Sequence, residues 1–177
     1  MPGHGDTGRE RHIICMKWGK KYGPEYVNRL YAMVRRHLMG DFRFVCLTDD
    51  NTGIRSEVQC LPIPPLDLPP GIPERGWTKL VTFSADLHGL KGTALFLDVD
   101  VVVTGSLDDF FTQPGEFLII HDYKRPWRVT GNSSVYRFEL GAHPDVLEYF
   151  RGHFAEIRQQ FRNEQAYLSD FLHKQGK

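Results

Sequence analysis

The sequence carries no excess of charge of either sign. Its 177 residues include 22 basic and 22 acidic side chains, so the formal net charge is zero. A general electrostatic attraction to DNA, RNA or an anionic membrane surface is therefore not expected. Hydrophobic residues make up 41% of the chain, which is unlike a disordered protein and suffices for the core of one domain.

Long apolar runs and cysteines are also scarce. No stretch reaches the roughly 20 apolar residues that span a bilayer, and the polar, glycine-rich N-terminus does not resemble a signal peptide. Cys15, Cys46 and Cys60 are odd in number and lie in apolar segments, which predicts buried thiols rather than a disulfide framework. We therefore expect a cytoplasmic protein, with a flexible N-terminal arm over residues 1–11 and a single domain over residues 12–177.

Strand-like and helix-like segments alternate along the chain, which predicts an α/β fold. The first three, strand His12–Met16, helix Pro24–Met39 and strand Phe42–Leu47, favour a parallel crossover unit. The further predicted elements are a weak strand over 56–61, an extended proline-rich loop over 62–73, a helix over 77–88, a strand over 93–103, a capping box of Ser106 and Asp109, strands over 116–120 and 133–138, and a helical third over 145–173 with a break near 162–163.

Two aspartates interrupt the most hydrophobic run of the chain. Asp98 and Asp100 stand at the end of Ala94–Val103, and burying a carboxylate costs several kcal/mol unless it is paired or metal-bound. In a strand, positions two apart share one face with Cα atoms roughly 6.5 Å apart, so the two carboxylates are expected to point the same way. A divalent cation that prefers oxygen ligands would remove their repulsion, which predicts a metal site.

Two other interpretations of this pair stay open. Each aspartate could pair with a basic residue or cap a backbone amide. The segment Asp98–Val102 also satisfies the Asp-x-Asp pattern of haloacid-dehalogenase-type phosphatases. That fold needs a later lysine and a second acidic pair, for which only Lys124 and the nearby Asp108-Asp109 are available.

Five segments, taken in order, resemble a known family. The sequence is similar to nucleotide-sugar glycosyltransferases of the GT-A fold, and most of all to glycosyltransferase family eight, over residues 12 to 172. The resemblance implies a three-layer, Rossmann-like fold with a mixed central sheet. The five segments are HIICMKWGKKYG at 12–23, WTKL at 77–80, ALFLDVDVVVTGSLDDFF at 94–111, Asn132-Ser133-Ser134-Val135 in place of Asn-Ser-Gly-Val, and Glu164-Gln165 in place of Asp-Gln.

The resemblance also implies how a nucleoside-diphosphate sugar is held. Mn²⁺ or Mg²⁺ on Asp98 and Asp100 would bind the diphosphate and stabilise the leaving group. Lys79 would add a positive charge near the diphosphate or the sugar; the alternative is a solvated helix lysine. The other donor-binding residues implied are Lys17, Trp18 and Tyr22, whose cationic and aromatic groups would meet the base, with Asp49 and Val99. Trp18 and Tyr22 could instead only cover the start of the following helix, and Asp49 could only form a turn.

Three residues are expected at the transfer step itself. Asn132, Glu164 and Gln165 would bond hydroxyl groups of the sugar, and such a pocket discriminates strongly against a wrong sugar. The alternatives are that Asn132 is a turn residue and that Glu164-Gln165 only begin a helix capped by Asn163.

The resemblance predicts a metal-dependent glycosyltransferase that moves a hexose from a nucleoside-diphosphate sugar, expected to be a UDP-sugar, to an unidentified acceptor. It also implies retention at the anomeric carbon.

Family members are usually longer, with a metal-binding His in a late segment. Nothing around His173 resembles that segment, so His173 is not expected to be a ligand. Ser134 for Gly and Glu164 for Asp are further departures. A non-catalytic, shortened relative that binds nucleotide or a protein partner is the first alternative, and the phosphatase the second.

Overall fold

A computed structural model describes residues 9–124 and 130–176. Within these residues, no helix has the length and the apolar character that crossing a bilayer requires. The predicted arm over 1–11 lies mostly outside the described residues, and Arg11 already belongs to the first strand. The elements are β1 (Arg11–Lys17), α1 (Pro24–His37), β2 (Arg43–Thr48), β3 (Gln59–Leu61), a 3₁₀ helix (Arg75–Phe83), β4 (Thr93–Leu97), α2 (Asp108–Thr112), β5 (Phe117–His121), β6 (Gly131–Glu139), α3 (Pro144–Gln160) and α4 (Glu164–Lys174).

The strands form one mixed sheet in the order β3-β2-β1-β4-β6-β5. β1 pairs in parallel with both β2 and β4, and β2 pairs in parallel with β3. β6 runs antiparallel to both β4 and β5. The chain moves from β1 through α1 to β2 on one side, and β4 lies on the other side of β1. The strand order therefore reverses between β1 and β4, where open α/β sheets bind ligands.

Two hydrophobic cores lie on the two faces of the sheet, which gives the predicted three layers. Alternate residues of β1 separate them: Ile14 packs with the 3₁₀ helix, α3 and α4, whereas Ile13 packs with α1. β4 is buried on both faces along its whole length, which explains its continuous apolar run. All three cysteines are free, and Cys15 and Cys46 are buried as expected, while Cys60 is half-buried.

Several predicted elements differ from the observed ones. The helix expected over 77–88 is a 3₁₀ helix that ends at Phe83. Every residue from Trp77 to Phe83 is buried, so the segment lacks the polar face that gives an amphipathic α-helix its 3.6-residue hydrophobic period. The strand expected to reach Val103 ends at Leu97. The capping box is also different, because Ser106 exchanges hydrogen bonds with Asp108 instead of Asp109. The break in the C-terminal helical region is confirmed, with Asn163 capping α4.

Arg137 ties β6 to the segment around α2. Its buried guanidinium donates hydrogen bonds of 2.7–3.0 Å to the main-chain carbonyls of Phe110, Gln113 and Gly115. We expect Arg137→Met to lower the free energy of unfolding by about 2–4 kcal/mol, because three carbonyls lose a charged donor. Urea denaturation followed by circular dichroism measures the effect. The exposed Arg162 provides the control, and an equal loss in Arg162→Met would contradict the assignment.

A pH dependence of stability follows from His12. Burial lowers the pKa of this imidazole below its usual 6.5, although its Nε2 lies 2.8 Å from the carbonyl oxygen of Lys91. The folded state thus binds fewer protons than the unfolded state between the lowered pKa and 6.5. Stability should therefore fall as the pH drops below 6.5, by at most about 1.4 kcal/mol per pH unit, and level off below the folded pKa.

Urea titrations of the wild type and His12→Gln between pH 5 and pH 8 isolate this contribution. The difference in unfolding free energy between the two proteins should change with pH only below pH 6.5. A difference that is constant over the range, or that grows above pH 6.5, would rule out the assigned direction.

Candidate functional site

A cleft of about 260 Å³ opens at the carboxyl ends of β1 and β4, at the point where the strand order reverses. The loop after β1 and the turn after β4 form two of its walls. The 3₁₀ helix and the first turn of α4 form the others. The lining residues are Met16, Trp18, Lys21, Tyr22, Gly76, Lys79, Asp98, Val99, Asp100 and Glu164.

The turn after β4 brings both aspartates into this cleft. The prediction that Asp98 and Asp100 share one face of a strand is wrong, because β4 ends at Leu97 and the Val101 N–H donates to the Asp98 carbonyl to close a turn. The Asp98 N–H donates to the carbonyl of Ser134 at 2.9 Å, which keeps the turn attached to β6. Side-chain alternation therefore does not explain why the two carboxylates face one cavity; the turn does.

Lys79 occupies the centre of the site and is 8% exposed. Its ammonium lies 2.9 Å from Asp98 Oδ1 and 3.6 Å from Glu164 Oε1, and it donates to the carbonyl of Ser133 at 3.1 Å. It also stands over the ring of Phe96, 5.3 Å from the centroid. The interpretation of Lys79 as a solvated helix lysine is therefore wrong, since its charge is buried among oxygen acceptors.

Asp100 lies at the more exposed end of the cleft, where it accepts a hydrogen bond of 2.5 Å from the hydroxyl of Tyr22. The Lys21 ammonium stands 4.7 Å from the centroid of the Tyr22 ring. A hydrogen bond with Tyr22 raises the pKa of Lys21, and the charges of Asp100 and Asp98 add to this effect. The loop after β1 is thus connected to the metal-ligand candidates through Tyr22.

Glu164 reaches the cleft because Asn163 begins α4 there. The Asn163 side chain accepts the Ala166 N–H, so the alternative that Asn163 caps the helix holds, and Glu164 also lines the cleft. Its Oε1 accepts the hydroxyl of Ser133 at 2.9 Å. A carboxylate in the first turn of a helix also interacts favourably with the helix dipole.

Two residues predicted to bind the donor, Lys17 and Asp49, are not among the lining residues. The ammonium of Lys17 is buried and donates to the carbonyl of Asp50 at 3.1 Å. Asp49 accepts the N–H of Gly19 at 2.9 Å. Both contacts fix the β1–α1 loop against the end of β2, so in this structure the two side chains shape the loop that carries Trp18 and Tyr22.

Asn132 and Gln165 also lie behind the cleft rather than in its lining. Asn132 Oδ1 accepts the N–H of Ser134 at 3.0 Å, and Gln165 Oε1 accepts the N–H of Ser133 at 3.1 Å. Their sugar contacts remain predictions. His173 lines a separate cavity of about 190 Å³ together with Phe117 and Gly131.

Sequence reasoning missed four residues of the site. Three of them, Met16, Lys21 and Gly76, line the cleft. The fourth, Ser133, forms hydrogen bonds with the lining residues Lys79 and Glu164. The motifs contained a signal for three of them, since Met16 and Lys21 lie in the segment 12–23 and Ser133 follows Asn132. Gly76 precedes the Trp-x-Lys-Leu segment and had no signal of its own.

The carboxylate oxygens of the cleft fit a divalent cation that also coordinates oxygen atoms of a bound substrate. Among the described residues, no group of three or more His, Cys, Asp or Glu side chains is arranged to hold a metal ion. Asp98 and Asp100 offer two carboxylates. Two carboxylates together with substrate phosphate oxygens and water are a common set for Mg²⁺, which seldom uses an all-protein cage.

No protein-family model matches this sequence, and no curated protein sequence matches it. Solved structures do. The apo form of the glycosyltransferase GlyE from Streptococcus pneumoniae TIGR4 superposes with a TM-score of 0.61 at 17% identity, over 92% of this chain and 43% of that chain. The galactosyltransferase LgtC, solved in complex with donor and acceptor sugar analogs, gives 0.65 at 15% identity, over 89% of this chain and 69% of that chain.

This chain thus spans less than half the length of the GlyE chain. At these identities, the likeness concerns the fold alone. Together with the six-stranded mixed sheet, it shows that the chain has the GT-A fold found in these glycosyltransferases.

Proposed function

We propose that the protein is a metal-dependent glycosyltransferase that takes a hexose from a nucleoside-diphosphate sugar, a UDP-sugar in the first instance, and transfers it to an acceptor. One observation carries the proposal: on a GT-A fold, the two aspartates after β4 share a cleft with the buried Lys79 and with two aromatic residues from the β1–α1 loop. Support also comes from the structural neighbours, both of which are described as glycosyltransferases.

The charges of the cleft favour a cation together with a diphosphate. Its lining has three carboxylates, Asp98, Asp100 and Glu164, against the two ammonium groups of Lys21 and Lys79. A diphosphate alone would therefore enter a site with an excess negative charge. A divalent cation reverses that sign, so binding of the nucleotide should depend on the metal.

Asp98 and Asp100 would hold Mn²⁺ or Mg²⁺, which supplies Lewis-acid stabilisation of the charge that develops on the departing diphosphate. Lys79 contacts Asp98 through Oδ1, so Oδ2 would be available to a metal ion. Tyr22 fixes Asp100 through Oδ2 in the same way. These contacts hold both carboxylates in place before the donor arrives, so less ordering is needed on binding.

The aromatic residues at the mouth of the cleft would bind the base. Trp18 is 39% exposed and, like Tyr22, lines the cleft. The opposite end, with Lys79 and Glu164, would then receive the sugar. A nucleotide placed this way has its diphosphate at Asp98 and Asp100, between the two ends.

The two alternatives make different demands. A non-catalytic relative would bind nucleotide and metal without transferring sugar. A haloacid-dehalogenase-type phosphatase is not favoured by the GT-A fold, and neither Lys124 nor the Asp108-Asp109 pair lines the cleft.

The metal assignment is tested by thermal shift with UDP and Mn²⁺. Both together at about a hundred times the dissociation constant should stabilise the protein by about 2.7 kcal/mol, and UDP with EDTA should give little stabilisation. The double variant Asp98→Asn/Asp100→Asn should lose the response. Asp41→Asn/Asp109→Asn, which removes two exposed carboxylates outside the cleft, should keep it.

The outcomes separate the hypotheses. An unchanged Mn²⁺ response in Asp98→Asn/Asp100→Asn would disprove the site. Stabilisation without release or transfer of a radiolabelled sugar from UDP-sugars would favour the non-catalytic relative. Phosphate release from p-nitrophenyl phosphate that is lost in Asp98→Asn would favour the phosphatase.

Base binding at the mouth of the cleft makes a separate prediction. Trp18→Ala should weaken UDP binding in the presence of Mn²⁺ by about 1–3 kcal/mol, because stacking on the base is lost. Isothermal titration calorimetry measures the change. Tyr123, which is 71% exposed and outside the cleft lining, provides the control as Tyr123→Ala. Equal affinities for UDP in wild type and Trp18→Ala would remove Trp18 from the binding site.

A further inference from the structure

Ser133 is the most connected polar residue behind the cleft. Its carbonyl accepts from Lys79, its hydroxyl donates to Glu164 at 2.9 Å, and its N–H donates to Gln165 at 3.1 Å. The hydroxyl also lies 3.4 Å from the Lys79 ammonium. The residue is 3% exposed and does not line the cleft, so its polar atoms serve its neighbours and are not directed at a ligand there.

An irregularity in the sheet frees the backbone of Ser133 for these contacts. β5 pairs Ile119 with Tyr136 but Ile120 with Asn132, so residues 133–135 are passed over in that ladder. On the other side, the pairing of β4 with β6 ends at Val135. The N–H and the carbonyl of Ser133 can therefore bond side chains instead of a neighbouring strand, a use of strand irregularities that is frequent beside active sites.

Gly76 lies beside the other oxygen, Oε2, of the same carboxylate. A Cβ at this residue would stand 3.0 Å from Glu164 Oε2, closer than side chains normally approach. Oε1 meanwhile is engaged by Ser133 and Lys79. The backbone of Gly76 does not have a positive φ, so its lack of a side chain is not required by the conformation of the 3₁₀ helix. What the glycine supplies is space for Glu164.

We propose that Ser133 and Gly76 are positioning residues that set the Glu164 carboxylate for the donor sugar, with Ser133 holding Oε1 and Gly76 leaving the room that Oε2 occupies. This inference rests on the proposed function. It adds that recognition of the sugar, as distinct from the nucleotide, depends on two residues to which the sequence analysis assigned no role. The affinity for UDP would depend on Asp98, Asp100 and Trp18, and not on Ser133 or Gly76.

The test compares Gly76→Ala and Ser133→Ala with two matched controls. Gly152→Ala adds a methyl group on α3 that would meet no atom within 4 Å apart from its chain neighbours and the backbone of its own helix, and Ser106→Ala removes a serine–carboxylate hydrogen bond outside the cleft. Calorimetry in Mn²⁺ should give UDP affinities within twofold of the wild type for all four variants. For UDP-glucose or UDP-galactose, whichever the wild type prefers, Gly76→Ala and Ser133→Ala should lose about tenfold, the effect of roughly one charged hydrogen bond.

Gly76→Ala separates positioning from stability. Alanine is at least as favourable as glycine in a helical conformation, so its thermal midpoint should not fall while sugar-nucleotide affinity does. Equal weakening of UDP and the sugar nucleotide, or no weakening of either, would overturn the proposal.

A second measurement does not depend on activity. A double-mutant cycle of Ser133→Ala and Glu164→Ala in urea unfolding should show strongly non-additive effects, because each variant already breaks the same contact. Additive effects would overturn the positioning role. Should the wild type bind none of these nucleotides with Mn²⁺, the proposed function fails, and this cycle alone decides whether Ser133 holds Glu164.

Discussion

The site depends on one buried ammonium group. Lys79 lies between the carboxylates of Asp98 and Glu164 and bonds the carbonyl of Ser133. Those three partners come from the turn after β4, from α4 and from β6. A buried charge without partners would cost several kcal/mol, so the contacts of Lys79 require these elements to meet at one place. The architecture around the cleft follows from satisfying that charge.

The two ends of the cleft are built differently. At one end Tyr22, Lys21 and Asp100 are comparatively exposed and belong to loop segments. At the other end Lys79 and Glu164 are buried and joined through Ser133. This division would suit the proposed nucleotide-sugar donor, because a flat base can stack on an exposed aromatic ring, whereas a sugar is recognised by fixed polar groups.

The sequence was sufficient to predict a mixed α/β sheet and the parallel unit of β1, α1 and β2 that borders the site. Apolar runs gave both ends of β1 and β2 and the start of β4 to within one residue, because strands buried on both faces have a continuous apolar composition. Asp98 and Asp100 were expected to share one face of a strand, but they line a common cleft through the turn that follows Leu97. The 3₁₀ helix was misjudged because its residues are buried all round and present no periodic face.

By itself, the sequence determined the alternation of strands and helices and the place of the two aspartates after an apolar strand. It also determined that Trp18 and Tyr22 lie in the loop after the first strand. Only the tertiary structure decided that Lys79 is buried, that Ser133 bonds three site residues, and that Gly76 borders Glu164. These contacts join residues up to 88 positions apart, as from 76 to 164. Local patterns report which face of an element is buried, but they carry no information on which distant side chain completes a hydrogen bond.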